Sequence, residues 1–156
     1  MANKQVLKQC NVFSGLSSVE IDRIADLAVA KEYEAGAVMF QEKDRAEELF
    51  ILEEGKVALQ ISSPVPPGRK VTVDVASSGE VVAWAPLIEP RIHDSTAICL
   101  QKSKVLAIDV ARLHSLLRDE NTSSKIMLGL VQAVVSRLND TRHLLVSERF
   151  WPQRIE

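Results

Sequence analysis

Glu42-Lys43-Asp44-Arg45-Ala46-Glu47-Glu48-Leu49-Phe50-Ile51-Leu52-Glu53-Glu54-Gly55-Lys56-Val57 is the stretch that decides the fold. Its charged opening gives way to four apolar residues, Leu49 to Leu52, and then to two acids and a glycine. An apolar segment this short between turn-forming residues reads as a strand. Gly55 tolerates the positive φ of a tight reversal, so Leu49–Leu52 and Val57–Ile61 are expected to form a hairpin.

The same texture extends in both directions. From Glu32 to Asp109, short segments rich in Val, Ile, Leu and Phe recur between Gly, Pro and Ser punctuation, the pattern of a compact all-β unit. Strands are expected at Val38–Phe40, Glu48–Glu53, Lys56–Ile61, Lys70–Val75, Val81–Val82, Ser95–Leu100 and Val105–Ile108. Pro64, Pro66, Pro67 and Gly68 keep Ser62–Arg69 out of any ladder and mark it as an exposed hairpin tip. Five of the six glycines stand at joints of this kind, which speaks for architecture and against a phosphate-binding loop.

Helices flank the β-unit. Ser17-Ser18-Val19-Glu20 is a capping box leading into Ile21, Ile24, Ala25, Leu27 and Ala28, with Phe13 and Leu16 placed to fold back as a staple. Asp109 is the expected N-cap of a short helix over Val110–Leu117, and Thr122 or Ser123 that of a long helix running to about Glu148. In the long helix Met127, Val131, Val134, Leu138, Thr141 and Leu145 step by four and three residues alternately, a seam suited to a partner helix. Ile126, Leu130, Val135 and Leu144 lie beside that seam and are expected to cover the β-unit. Gly129 costs this helix about 1 kcal/mol against alanine, with no reason visible in the sequence. Pro152 is expected to end the tail, with Phe150 and Trp151 packing on the domain or on a dimer partner.

The reading is of one mainly β domain over residues 1–156, with flanking helices. Its parts are an N-terminal helical segment (1–31), a β-roll (32–109), C-terminal helices (110–148) and a tail (149–156). A net charge of −2 dispersed along 156 residues offers no basic face for nucleic acid. Cys10 and Cys99 are too few for a disulfide framework, residues 1–9 lack a signal-peptide core, and no apolar run is long enough to cross a membrane. A cytoplasmic location is expected. Nucleotide-loop, dinucleotide and Gly-x-Ser-x-Gly signatures are missing, and His93, His114 and His143 fall on separate segments. No cofactor, metal or catalytic role is expected.

Helix, β-roll, short helix and long helix is an order that resembles the cyclic-nucleotide-binding domain of catabolite-activator-type regulators and kinase regulatory subunits. Phe13-x-x-Leu16-Ser17, Tyr33-Glu34-Ala35-Gly36 before Val38-Met39-Phe40, and the run from Glu42 to Val57 carry the likeness, with Lys43 where the family commonly has glycine. The resemblance covers roughly residues 10 to 147 and implies a double-stranded β-helix, or jelly roll, with a dimerisation helix at its end.

The family's phosphate-binding cassette is where the match breaks. Val82-Ala83-Trp84-Ala85-Pro86-Leu87 stands opposite its Phe-Gly-Glu-x-Ala-Leu, so Trp84 replaces the ribose-binding glutamate and Pro86 a residue that lends its N–H. Aligning Ser95-Thr96-Ala97 with the second motif puts His93 in place of the phosphate-binding arginine. Arg91, two residues earlier, is expected on the same side as a possible substitute. Losing three charged contacts at about 1.5–3 kcal/mol each forfeits roughly 4–8 kcal/mol, about three to six decades of affinity. The expectation is a homodimeric regulatory module whose altered cassette binds a non-nucleotide effector, with Trp84 as a platform, or serves as a protein-interaction surface. Direct nucleic-acid binding is not expected, because the helix-turn-helix that follows the long helix in the family's transcription factors is missing here. The alternatives are genuine cyclic-nucleotide binding through Arg91 or His93, with Asn139 and Thr141 capping the base, and a purely structural dimerisation unit.

Overall fold

The computed structural model describes the backbone of residues 3–155 and the side chains of residues 3–148. Among the described residues four α-helices, α1 (Lys4–Gln9), α2 (Ser18–Leu27), α3 (Val110–Leu116) and α4 (Glu120–Ile155), bracket seven strands. The strands are β1 (Ala28–Tyr33), β2 (Val38–Phe40), β3 (Glu48–Glu54), β4 (Val57–Ser62), β5 (Lys70–Ala76), β6 (Thr96–Cys99) and β7 (Ser103–Asp109). They form two antiparallel sheets, β1-β7-β3 and β2-β6-β4-β5, which make up the expected β-roll.

β3 and β7 hold the layers together because both of their faces are buried. Leu49 and Ile51 of β3, with Leu106 and Ile108 of β7, pack beneath the helices against Leu7, Phe13, Ile21, Ile24 and Ile126. The intervening residues Phe50, Leu52, Val105 and Ala107 fill the space between the sheets with Phe40, Val57, Ala97 and Cys99. A period of two with apolar residues on both phases produces the unbroken Leu49–Leu52 run.

The hairpin expected at Gly55 is not there. β3 pairs with β7, while β4 pairs with β5 and β6, so Gly55 is the corner at which the chain changes sheets. Its φ is +117°, and a Cβ there would meet Ser103 Cβ at 2.7 Å and Ser103 Cα at 2.8 Å. Only glycine fits so tight a corner. The hairpin tip expected at Ser62–Arg69 does form, joining β4 to β5. Val81 makes only an isolated bridge to Ile51, and the 28–31 stretch expected in the helical segment belongs to edge strand β1, paired along β7.

The capping box forms as read: Ser17 Oγ accepts from Glu20 N at 3.2 Å and Glu20 Oε1 accepts from Ser17 N at 2.9 Å. Asp109 caps α3, accepting from Arg112 N at 3.2 Å. The start of α4 differs from expectation, because Asp119 accepts from Asn121 N and leaves Thr122 inside the first turn. Buried Thr122 donates to Glu20 Oε2 at 2.6 Å and Lys125 donates to Glu20 Oε1 at 2.8 Å, so one carboxylate caps α2 and also anchors α4.

The face of α4 that covers the domain runs through Thr122, Ile126, Gly129, Leu130 and Ala133. Gly129 is explained by this packing: a Cβ would collide with the Val12 carbonyl oxygen and stand 2.9 Å from its carbon, so the helix backbone lies directly on the loop after α1. Val135 and Leu144, expected on the covering flank, are 50% and 61% exposed. Along the expected seam Met127 is half-buried, while Val131, Val134, Leu138, Thr141 and Leu145 are exposed. The helix passes Pro152 and continues to Ile155, so the proline does not end it as expected. The side chains of Phe150 and Trp151 lie outside the described residues.

Candidate functional site

A cavity of about 270 Å³ opens between β4, β5, the segment after β5 and the middle of α4. Its apolar wall includes Leu59, Ile61, Val73, Val81, Val82 and Trp84. Its charged groups are Asp74, Glu80, Asp94 and Arg137.

The cassette residues divide between lining and support. Val82, Ala83, Trp84 and Ser95 face the cavity, as does Thr141 from the expected seam. Ala85, Pro86 and Leu87 form one 3-10 turn with proline in its first positions, and Pro86 and Leu87 are buried behind the wall. Thr96 is turned elsewhere: its hydroxyl accepts from Glu42 N at 3.1 Å and from Lys70 Nζ at 3.5 Å.

Arg91 and His93 do not line the cavity. His93 is 3% exposed and stacks on Phe40 with ring centroids 3.6 Å apart, joining the layer between the sheets. Burial pushes its pKa below the usual histidine value, opposed by the charges of Asp44 and Asp94, and its Nδ1 has no hydrogen-bond partner. Arg91 pairs with Glu89 at 2.7 Å and lies 3.1 Å from His114 Nδ1, in a separate surface hollow. Expecting Arg91 and His93 on one side assumed extended backbone, but Arg91 has a φ of +58°, which breaks the alternation. Asp94, next to His93, is the residue of this segment that supplies a charge to the cavity.

Sequence reasoning missed the cavity's ion-pair network. Arg137 reaches from α4 to Asp74 of β5, with Nη1 to Oδ1 at 2.9 Å, and its Nη2 contacts Glu80 Oε2. Both carboxylates are fixed by backbone donors, Asp74 Oδ1 by Val75 N at 2.8 Å and Glu80 Oε1 by Ser77 N at 2.9 Å. The signal was present in α4, since Arg137 continues the buried stripe Ile126, Leu130, Ala133 at helical spacing. Among the described residues no group of three or more His, Cys, Asp or Glu is arranged to hold a metal ion, and no helix is long and apolar enough to cross a membrane.

Comparison with known proteins places this geometry in context. The family described as "Cyclic nucleotide-binding domain" matches residues 30–120. A candidate cyclic nucleotide-binding protein from Geobacter metallireducens GS-15 is 27% identical, with a TM-score of 0.77 over 88% of this chain and 99% of that one. The N-terminal domain of a transcriptional regulator from Streptomyces coelicolor A3(2) is 26% identical, with a TM-score of 0.66 over 90% and 94% of the two chains. A CRP-like cAMP-activated global transcriptional regulator of Mycobacterium tuberculosis is 20% identical over 136 residues, 87% of this chain and 60% of that one. The chain spans from 32% to 60% of the length of the curated relatives it matches.

Proposed function

The chain belongs to the cyclic nucleotide-binding domain family, and from that premise we propose that it is a non-catalytic regulatory module whose cavity takes an effector that is not a cyclic nucleotide. The observation that carries this reading is the charge of the cavity wall. Asp74, Glu80 and Asp94 face it, and Arg137, the one basic residue of its lining among the described residues, is already engaged by two of those carboxylates. A cyclic phosphate would meet like charge and would have to break two ion pairs to gain one. Trp84 offers one N–H donor and an apolar plane where the family's ribose acceptor is expected, and Pro86 has no N–H to give a phosphate.

The regulatory reading agrees with the transcriptional regulators among the relatives. A cavity with pre-fixed carboxylates supports an effector role over a purely structural one. With Arg91 held by Glu89 and His93 stacked in the core, neither supports a phosphate anchor. The exposed apolar stripe of Val131, Val134, Leu138 and Leu145 supports a homodimer through α4. The dispersed net charge of −2 favours a small molecule or a protein over nucleic acid as the direct partner. The free, buried thiols of Cys10 and Cys99 fit a cytoplasmic setting.

Calorimetric titration with cyclic AMP, cyclic GMP and cyclic dinucleotides tests the reading. No saturable heat is expected up to millimolar ligand, and saturable binding of any of them at micromolar concentration refutes it.

A further inference from the structure

We infer that the cavity is a site for a cationic organic ligand, an amine, amidine or guanidinium carried on an apolar body, and that Arg137 occupies it as an internal stand-in. The inference rests on the reading above that the effector is not a cyclic nucleotide. Among the described residues, three carboxylates face a space that contains one guanidinium, and that guanidinium belongs to the helix that leaves the domain. Asp74 and Glu80 each accept a backbone N–H besides the arginine, a second restraint that would remain when the arginine is displaced. Asp94 has no ion-pair partner among the described residues.

The remaining wall matches such a ligand. Leu59, Ile61, Val73 and Val82 would bury an apolar body, and the Trp84 indole offers the π-face that attracts cations. A planar amidinium presents the same paired N–H donors as the arginine fork, so it competes for the same two carboxylates while gaining Asp94.

Competition has a mechanical result. Arg137 is 28% exposed in its side chain, and every residue of α4 from 138 to 148 is exposed, so among the described residues the pairs to Asp74 and Glu80 are the last ionic attachment of α4 to the roll. A cation that displaces Arg137 detaches the helix from β5 and from the segment after it. The ligand and the orientation of the helix are thereby linked, each biasing the other by the same free energy.

The test uses benzamidine as probe, with neutral benzamide as the matched control and cyclic AMP as the anionic comparison. Binding is read by titration calorimetry and by tryptophan fluorescence in a Trp151→Phe background. Benzamidine is expected to bind saturably, with benzamide at least tenfold weaker. Asp94→Asn, at an exposed position with no packing role, weakens benzamidine about tenfold. Arg137→Gln removes the internal competitor and tightens benzamidine about tenfold. Unchanged or weaker binding to Arg137→Gln overturns the stand-in role, and equal binding of benzamide overturns the cationic class. Should Arg137→Gln fail to fold, the Asp94→Asn titration decides, and unchanged affinity there counts against the site. If neither benzamidine nor cyclic AMP binds, this inference fails and the non-nucleotide reading stands. If cyclic AMP binds and Arg137→Gln abolishes it, both fail.

Discussion

Replacing Gly129 by alanine should destabilise the protein, against the rule for helix interiors. In a free helix the change is worth about 1 kcal/mol in favour of alanine. Here the new Cβ would overlap the Val12 carbonyl oxygen and stand 2.9 Å from its carbon and 3.0 Å from the Asn11 oxygen. All three are backbone atoms, so no rotamer change relieves them, and either α4 or the loop after α1 must retreat. Overpacking of this kind costs about 1–3 kcal/mol, and the absence of a side-chain escape argues for the upper end. Subtracting the propensity gain leaves a net loss of about 2 kcal/mol, or a fall in Tm of about 4–8 °C at roughly 2–4 °C per kcal/mol. Urea unfolding followed by circular dichroism should show a lower midpoint with an unchanged slope. Gly15→Ala is the control, because nothing lies within 4 Å of the Cβ it would add. A Gly129→Ala protein as stable as wild type or more so would refute the proposition that α4 is seated backbone to backbone on that loop.

Other consequences can be measured in the same way. Lys43 has a φ of +74°, where a non-glycine residue pays about 1–2 kcal/mol, so Lys43→Gly should raise stability by about 0.5–1 kcal/mol once glycine's larger unfolded-state entropy is deducted. A drop in the urea midpoint would contradict this. Glu20→Gln should cost about 2 kcal/mol at pH 7, because the carboxylate accepts charge-assisted bonds from Lys125 and bonds from Thr122 and Ser17. The hydrogen bonds from Lys125 and Thr122 hold the Glu20 pKa near 2 against 4.5 unfolded, so its stabilisation is complete above pH 4.5 and drains away as the pH falls toward 2. Acid titrations in which the variant retains the wild-type slope across that window would rule this out. Leu138→Asp puts a charge into the exposed apolar stripe of α4 and should shift sedimentation from dimer to monomer at tens of micromolar without changing the midpoint of roll unfolding. A wild-type protein already monomeric at that concentration would dispose of the proposed interface.

The elements that could be read from the sequence are those whose cause is local. The Ser17–Glu20 box, the Asp109 cap and strands such as Val38–Phe40 are each specified within a few residues, and the structure has them where expected. What the sequence concealed depends on partners far along the chain. Gly55 looks like a hairpin glycine, and only the approach of Ser103 makes it a corner between sheets. The start of strand β1 falls within the 1–31 segment expected to be helical because Ala28 continues the apolar stripe of α2, and only its pairing with β7 makes residues 28–31 a strand. At the candidate site, Trp84 was legible as a departure from the family pattern. Arg137, Asp74 and Glu80 were not, because their meaning comes from three elements converging on one point.

The two-sided burial of β3 and β7 carries one more implication. In a sheet wetted on one side, sliding a strand by one place turns grease outward, and solvent corrects the error. Here the same slip would exchange Leu49 and Ile51 for Phe50 and Leu52, oil for oil, and water would exert little pull against it. Alignment must then be enforced by steric fit, and the Gly55–Ser103 abutment is the natural detent: a side chain on residue 55 would let the ladder settle out of step.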